Sequence, residues 1–262
     1  MSRIACFGDN CVDYYEQSEE TYYGGNPVNV AVYTRRLGNE ASYIGVVGND
    51  RFGEGMLQAL REKGVDVSHV QQKEGSTALT YVQISDGDRI FGDYIEGVMS
   101  DYRLRDEDIH FIAKHDLAIT GLWGHCEKDL PSLREKGIKI AFDSSDRPED
   151  PVSLQALPYV DIFFFSDDNH PDEELESILQ EIAKKGPKIV VATRGAKGSV
   201  AYAQSAFIYQ GIREVKIADT MGAGDSFIAG FLNAYLKGSS LKECMEAGAD
   251  CSAVTLSYYG AW

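Results

Sequence analysis

The chain has 262 residues, with 41 Asp and Glu against 25 Lys and Arg, a formal charge of −16. Such a surface argues against duplex nucleic acid or an anionic membrane as partner, since both require a basic face; a nucleotide can still bind where the local field is positive. With 44% hydrophobic and 25% charged residues, the composition is that of a globular protein with an adequate core, sized for one large α/β domain with an appendage. The opening MSRIACFGDN carries no leader-type apolar stretch and no run approaches the roughly 18 residues of a membrane span, so a cytoplasmic location is expected. Cys6, Cys11, Cys126, Cys244 and Cys251 show no CxxC or paired metal spacing and suit reduced, packed thiols. The five histidines form no recognisable zinc-ligand pair.

Taken in chain order, the first predicted element is a strand over 3–8. It runs into FGDNCVDYY, where Asp9, Asn10 and Asp13 cluster at the strand end; carboxylates and amides there suit a polyol, and equally suit ordinary turn chemistry. Residues 11–24 are aromatic and acidic, without a helical stripe. In GGNPVNVAVYTRRLG, Gly24 and Gly25 allow close backbone approach before a helix over 27–37, on which Asn29 offers both donor and acceptor. A strand over 42–47 and a helix over 53–63 follow. Residues 77–97 read as two strands around Asp86, Gly87 and Asp88, a hairpin turn rather than a calcium loop, which would need further acidic positions. Together, 11–24 and 77–97 form two insertions that predict a small antiparallel sheet acting as a lid.

Beyond the second insertion, a helix over 104–115 precedes strands over 116–120, 139–143, 161–166 and 188–193, with a helix over 171–185 before the last. The strand over 188–193 opens into VVATRGAKGS, where Thr193, Gly195 and Gly198 make a turn able to receive a nucleotide or simply to connect two strands. Helices over 226–237 and 241–257 close the chain, the second with a capping box from Ser240 to Glu243. This alternation predicts a mostly parallel sheet with helices on both faces and a site beyond the carboxyl ends of its strands. Neither a GxxxxGK[ST] loop nor a GxGxxG fingerprint follows any predicted strand.

The most telling run is DTMGAGDSFIAGF, from 219 to 231. Gly222, Ala223 and Gly224 let a polyphosphate approach the backbone at the positive end of a helix dipole. Asp225 places an anion where a phosphate is expected, which suits a general base beside a phosphoryl-transfer centre, or else a plain helix N-cap.

Three segments resemble a known family. DTMGAGDSF resembles the signature of the ribokinase-like sugar kinases of the phosphofructokinase B type, GGNPVNVAVYTRRLG its first signature, and VGNDRFGEGM its VGxDxxG segment. The resemblance covers nearly the whole chain in the right order. It implies a single three-layer α/β domain over 1–262, with a mainly parallel central sheet, flanking helices and a small β-sheet lid. It also implies an ATP-dependent kinase using Mg²⁺ and a monovalent cation, K⁺. Asp225 would be the base, with Gly222, Ala223 and Gly224 forming the anion hole. Asp13, Gly25 and Asn29 would contact sugar hydroxyls, Thr193, Gly195 and Gly198 the nucleotide, and Asp219 the monovalent cation. FGDNCVDYY, FGDYIEGVM and YYGAW further resemble a subfamily acting on the 6-hydroxyl of the Amadori compound fructoselysine, with another ketose, ribose or a nucleoside as alternative acceptors. Asp93 and Glu96 would face its cationic nitrogen and Arg89 its carboxylate.

Two departures stand out. Where the family has NxxE, which organises magnesium, the chain reads Ser166, Asp167, Asp168 and Asn169; Ser145 replaces a common Asn, while Asp143 and Arg147 remain. Arg147 suits a phosphate contact or a loop ion pair. Rivals of another class are a non-catalytic sugar sensor on the same fold and a GDS-type serine hydrolase using Ser226. The aromatic lid also suits pairing with a second copy as a homodimer.

Overall fold

The computed structural model describes residues 1–85 and 88–262, and the side chains of 84–91 lie outside that description. The sequence-based assignments to the Asp86-Gly87 turn and to the Arg89 side chain therefore fall outside the described residues. In chain order the first strands are β1 Arg3–Phe7, β2 Cys11–Tyr15 and β3 Glu20–Gly24, then α1 Asn26–Arg36, β4 Glu40–Ile44, β5 Val46–Gly48 and α2 Arg51–Glu62. There follow β6 Gln71–Lys73, β7 Leu79–Ser85, β8 Asp88–Ile95, α3 Asp106–Ile112, β9 Leu117–Gly121, α4 Leu130–Glu135 and β10 Ile140–Asp143. The remainder is α5 Pro151–Ala156, β11 Ile162–Ser166, α6 Asp172–Ala183, β12 Ile189–Thr193, β13 Ser199–Ala203, β14 Ala206–Gln210, α7 Ala223–Leu236 and α8 Leu241–Thr255.

An eight-stranded sheet in the order β14-β13-β12-β11-β10-β9-β1-β4 forms the centre. Its pairs from β4 through β12 are parallel, and the β12–β13 and β13–β14 pairs are antiparallel, so β13 alone is reversed. Strands such as IFFFS in β11 and LAITG in β9 are apolar without alternation because both faces are covered. Successive side chains point to opposite faces. Phe164 therefore packs edge-on against Phe231 of α7, ring centroids 5.3 Å apart, while Phe163 stacks on Phe142 at 5.8 Å on the opposite side. One core lies under α1, α2, α7 and α8, the other under α3, α4, α5 and α6. This is the predicted three-layer α/β architecture.

A second, four-stranded sheet in the order β3-β2-β7-β8 is assembled from the two insertions. It is mixed rather than purely antiparallel: each insertion is an antiparallel hairpin, and the hairpins join through the parallel pair β2–β7. Other differences are local. The predicted strand over 42–47 breaks at Gly45, whose carbon would otherwise strike the Tyr43 ring, and β5 leaves to pair with β6. The hairpin β13–β14, absent from the prediction, turns at Gln204 and Ser205, both in the left-handed region. Helices α4 and α5 are only six residues each, too short for a periodic signal. No helix among the described residues is long and apolar enough to cross a membrane.

Asp50, in the VGNDRFG segment, ties the start of α2 to Thr77, just ahead of β7. Its Oδ1 caps α2 by accepting from Gly53 N at 2.8 Å and takes the Thr77 hydroxyl at 2.7 Å; its Oδ2 accepts from Thr77 N at 2.8 Å. These hydrogen bonds hold its carboxyl below the usual range despite partial burial. Asp50→Ala is expected to destabilise the fold by about 1–3 kcal/mol, seen as a Tm about 3–10 °C lower in thermal melting; an unchanged Tm would remove Asp50 as the tie.

Candidate active site

Helix α7 begins three residues earlier than its apolar periodicity suggests, at Ala223, which moves Asp225 off the N-cap position. The N-cap is Gly222, with φ +73 and no side-chain cap; a β-carbon there would lie 2.5 Å from the Tyr33 hydroxyl, so glycine is required. Asp225 sits inside the first turn and does not cap the helix. Its Oδ1 instead accepts from Asn26 Nδ2 and its Oδ2 from Asn29 Nδ2, each at 2.7 Å. Ser226 is fully buried and its hydroxyl donates to Ala223 O at 3.0 Å, so it presents no nucleophile.

Both amides come from the first turn of α1, and the paired glycines bring it there. Gly25 has φ +111, and a β-carbon on it would lie 2.6 Å from Asn10 Cα; only glycine lets α1 start against the loop leaving β1. Asn26 Nδ2 also donates to Asp143 Oδ2 at 2.8 Å, so one amide bridges the end of β10 to the start of α7. Asp9 Oδ2 accepts from Asn26 N at 3.3 Å. Three carboxyls thus converge, Asp9 buried and Asp143 and Asp225 half-buried, and desolvation is the first cause that raises each. Asp143 rises to about 7, with added repulsion from Asp225 and Asp9. Asp9 and Asp225 rise to about 6, Asp9 also repelled by Asp225, while Asn29 and Asn26 restrain Asp225.

Two cavities meet at this helix start. One, of about 330 Å³, is lined by Asp13, Gly25 and Asn29 together with Asp143, Gly222 and Asp225. The other, of about 460 Å³, is lined by Thr193, Gly195 and Gly198, by apolar walls that include Ile212 and Val215, and by Ala223 and Gly224. The N-terminus of α7 is the partition; its dipole favours an anion between them, and of its first N–H groups Ala223 N donates to Thr220 O at 3.3 Å. Asp219 lies just before it, its Oδ1 accepting from Met221 N at 3.1 Å and its Oδ2 from Gly260 N at 2.9 Å.

Several other candidates have structural partners. Asp167 accepts from His170 Nδ1 at 2.6 Å and from the backbone of Asn169 and His170. Arg147 pairs with Asp150 at 3.1 Å and lies over the Trp123 ring, which makes it a loop tie. Glu96 pairs with His125 at 2.7 Å. Asp93 is exposed on β8 and lines neither cavity.

The model of the pfkB family carbohydrate kinases matches residues 1–262. The chain belongs to that family. It is 43% identical to the fructoselysine 6-kinase of Escherichia coli (strain K12) over the full length of both, and 38% identical to the fructosamine kinase FrlD of Bacillus subtilis (strain 168), covering 99% of this chain and 93% of the relative. The ribokinase of Arabidopsis thaliana, solved with ribose and ATP, has the same fold at a TM-score of 0.85 and 19% identity, covering 98% and 93% of the two chains. The fructokinase of Vibrio cholerae O395, solved with fructose, ADP and calcium, matches at a TM-score of 0.82 and 25% identity over 100% and 94%.

In this carbohydrate kinase the structure adds residues that the sequence patterns did not single out as a group. Asn26 was visible only as a neighbour of the paired glycines, and Asp143 only as a strand end. Trp262 was part of a family-like ending with no role. Loss of the Asn26 amide removes a hydrogen bond that lowers the Asp225 pKa. Asn26→Ala is therefore expected to move Asp225 ionisation above about 6, measured by carboxyl-carbon NMR titration; an unmoved or lowered value would contradict the bridge.

Proposed function

We propose that this ATP-dependent sugar kinase phosphorylates the 6-hydroxyl of fructoselysine or a closely related Amadori compound. The observation that carries the proposal is the meeting of two cavities across the first turn of α7, with Asp225 facing one and Ala223 and Gly224 facing the other. An acceptor hydroxyl on one side and a nucleotide on the other then share a line through the partition. Among the described residues the charged lining of the acceptor cavity is Asp9, Asp13, Asp143 and Asp225, which suits a sugar bearing a cationic nitrogen.

In this mechanism Asp13, Gly25 and Asn29 seat the sugar, and the nucleotide lies over Thr193, Gly195 and Gly198. Asp225, buried enough to hold a proton near neutrality, accepts one from the hydroxyl as it attacks. The backbone N–H groups at Gly222, Ala223 and Gly224 receive the transferring γ-phosphoryl, so positioning and charge stabilisation supply most of the rate. Mg²⁺ fits as an ion carried on the nucleotide: among the described residues no three His, Cys, Asp or Glu side chains converge on a metal, and Mg²⁺ commonly keeps phosphate and water ligands with one or two carboxylates. When bound it neutralises phosphate charge. Asp219 is the residue assigned to K⁺, at the seam between the 219–222 loop and Gly260. The four-stranded sheet, which carries Asp13 on β2 and Tyr22 on β3 into the acceptor cavity, is assigned as the lid that excludes water. Its exposed Tyr94 and Ile95 are the surface for pairing with a second copy.

ADP release is the test, with fructoselysine, fructose, ribose, fructose 6-phosphate and nucleosides as acceptors. Fructoselysine is expected to give the highest kcat/KM; preference for a plain sugar or nucleoside would overturn the substrate assignment and leave the kinase intact. Asp225→Asn is expected to lower kcat by about 100-fold or more with little change in sugar binding, and near-normal turnover would remove Asp225 as base. The base works only when ionised. With its carboxyl raised to about 6, kcat/KM should fall about tenfold per pH unit below that value and level off above it; a kcat/KM undiminished at pH 5 would contradict the assignment.

A further inference from the structure

We infer that Trp262 is a positioning residue for phosphoryl transfer: its indole N–H fixes the orientation of the Asn29 amide and, through it, the Asp225 carboxylate. Trp262 Nε1 donates to Asn29 Oδ1 at 2.8 Å, and Asn29 Nδ2 donates to Asp225 Oδ2 at 2.7 Å. An indole N–H can only donate and an ionised carboxylate can only accept, whereas a carboxamide can present either end to either side. With Trp262 in place one orientation satisfies both neighbours. Rotated by a half-turn, the amide would set its oxygen against the Asp225 carboxylate and its N–H₂ against the indole N–H. Asn29 is 6% exposed, so water has little access to repair such a mismatch, and an unmade hydrogen bond there is costly.

The segment carrying Trp262 is held at successive residues beside the same helix start. Gly260 N donates to Asp219 Oδ2, and Ala261 O accepts from the Tyr33 and Tyr258 hydroxyls. The Trp262 ring packs against the core beneath α1 and has the Lys63 ammonium 5.7 Å from its centre. Trp262 therefore arrives from the far end of the sequence as a fixed donor, not as a mobile surface ring. The groups facing Asp225 are Asn26, Asn29 and Tyr33 of α1, Asp9 after β1 and Asp143 at the end of β10. Asn26 and Asn29 favour the ionised carboxylate, while Asp9 and Asp143, once ionised, oppose it. Releasing the Asn29 amide removes one of the two hydrogen bonds that hold Asp225 down, so its pKa rises and the base is ionised at a higher pH.

This inference rests on Asp225 as the base, and the two fail separately: Asp225→Asn tests the base, Trp262→Phe tests the relay. Trp262→Phe keeps an aromatic ring and removes the N–H. With fructoselysine and MgATP, kcat is expected to fall about tenfold with KM within about twofold, and the acidic limb of kcat to move up by about half a pH unit or more. In an Asn29→Ala background the same change should add nothing, because the partner it acts through is gone. Thermal melting of each variant accompanies the kinetics; if Trp262→Phe does not stay folded at the assay temperature, Trp262→Leu, which also lacks a donor, is read in the same way. An unchanged kcat and pH limb, or an equal loss with and without Asn29, would overturn the relay while an inactive Asp225→Asn left the base in place.

Discussion

Asn26 makes the contact on which the active-site arrangement depends. One amide nitrogen, 2.8 Å from Asp143 and 2.7 Å from Asp225, joins the end of a central strand, the start of α1 and the start of α7. Buried like charges this close repel strongly in a medium poorer than water. A shared neutral donor lets them coexist, while burial and mutual repulsion raise Asp143 and Asp9 above the usual carboxylate range. The same contact holds the start of α7 beside the end of β10, where residues 220–225 line both cavities. Tight backbone geometry serves this one arrangement at Gly25 and Gly222, where any β-carbon would collide.

The architecture follows from ordinary layer physics. Fully apolar strands require cover on both faces, and two separate cores supply it. Loops at the carboxyl ends of the parallel strands are the natural place for a site, and Asp9, Asp143 and Thr193 stand at such ends. The insertions contribute a second sheet because β2 and β7 leave the main body side by side and in the same direction, so their hairpins fuse through a parallel pair. Family membership gives the arrangement its chemical meaning. Among the described residues, the charged groups lining the cavity beside Asp225 are carboxylates.

Much of this was legible in the linear chain. Alternation of apolar runs and helical stripes announces the α/β layers, and Gly-Ala-Gly-Asp ahead of an apolar helix announces an anion site with a carboxylate beside it, because those features are local. Asp225 as cap or as base could not be separated there, since the answer depends on where α7 starts and on which side chains meet the carboxylate. The short helices α4 and α5 and the β13–β14 hairpin were likewise beyond periodicity, having too few residues to show one. Local sequence determined the longer elements, the glycine-rich start of α7 and the identity of the carboxylate beside it. Only the tertiary structure decided its neighbours, for Asn26, Asp143 and Trp262 lie roughly 40 to 200 residues from Asp225 in the chain, and no local pattern encodes a hydrogen bond closed by folding over that separation.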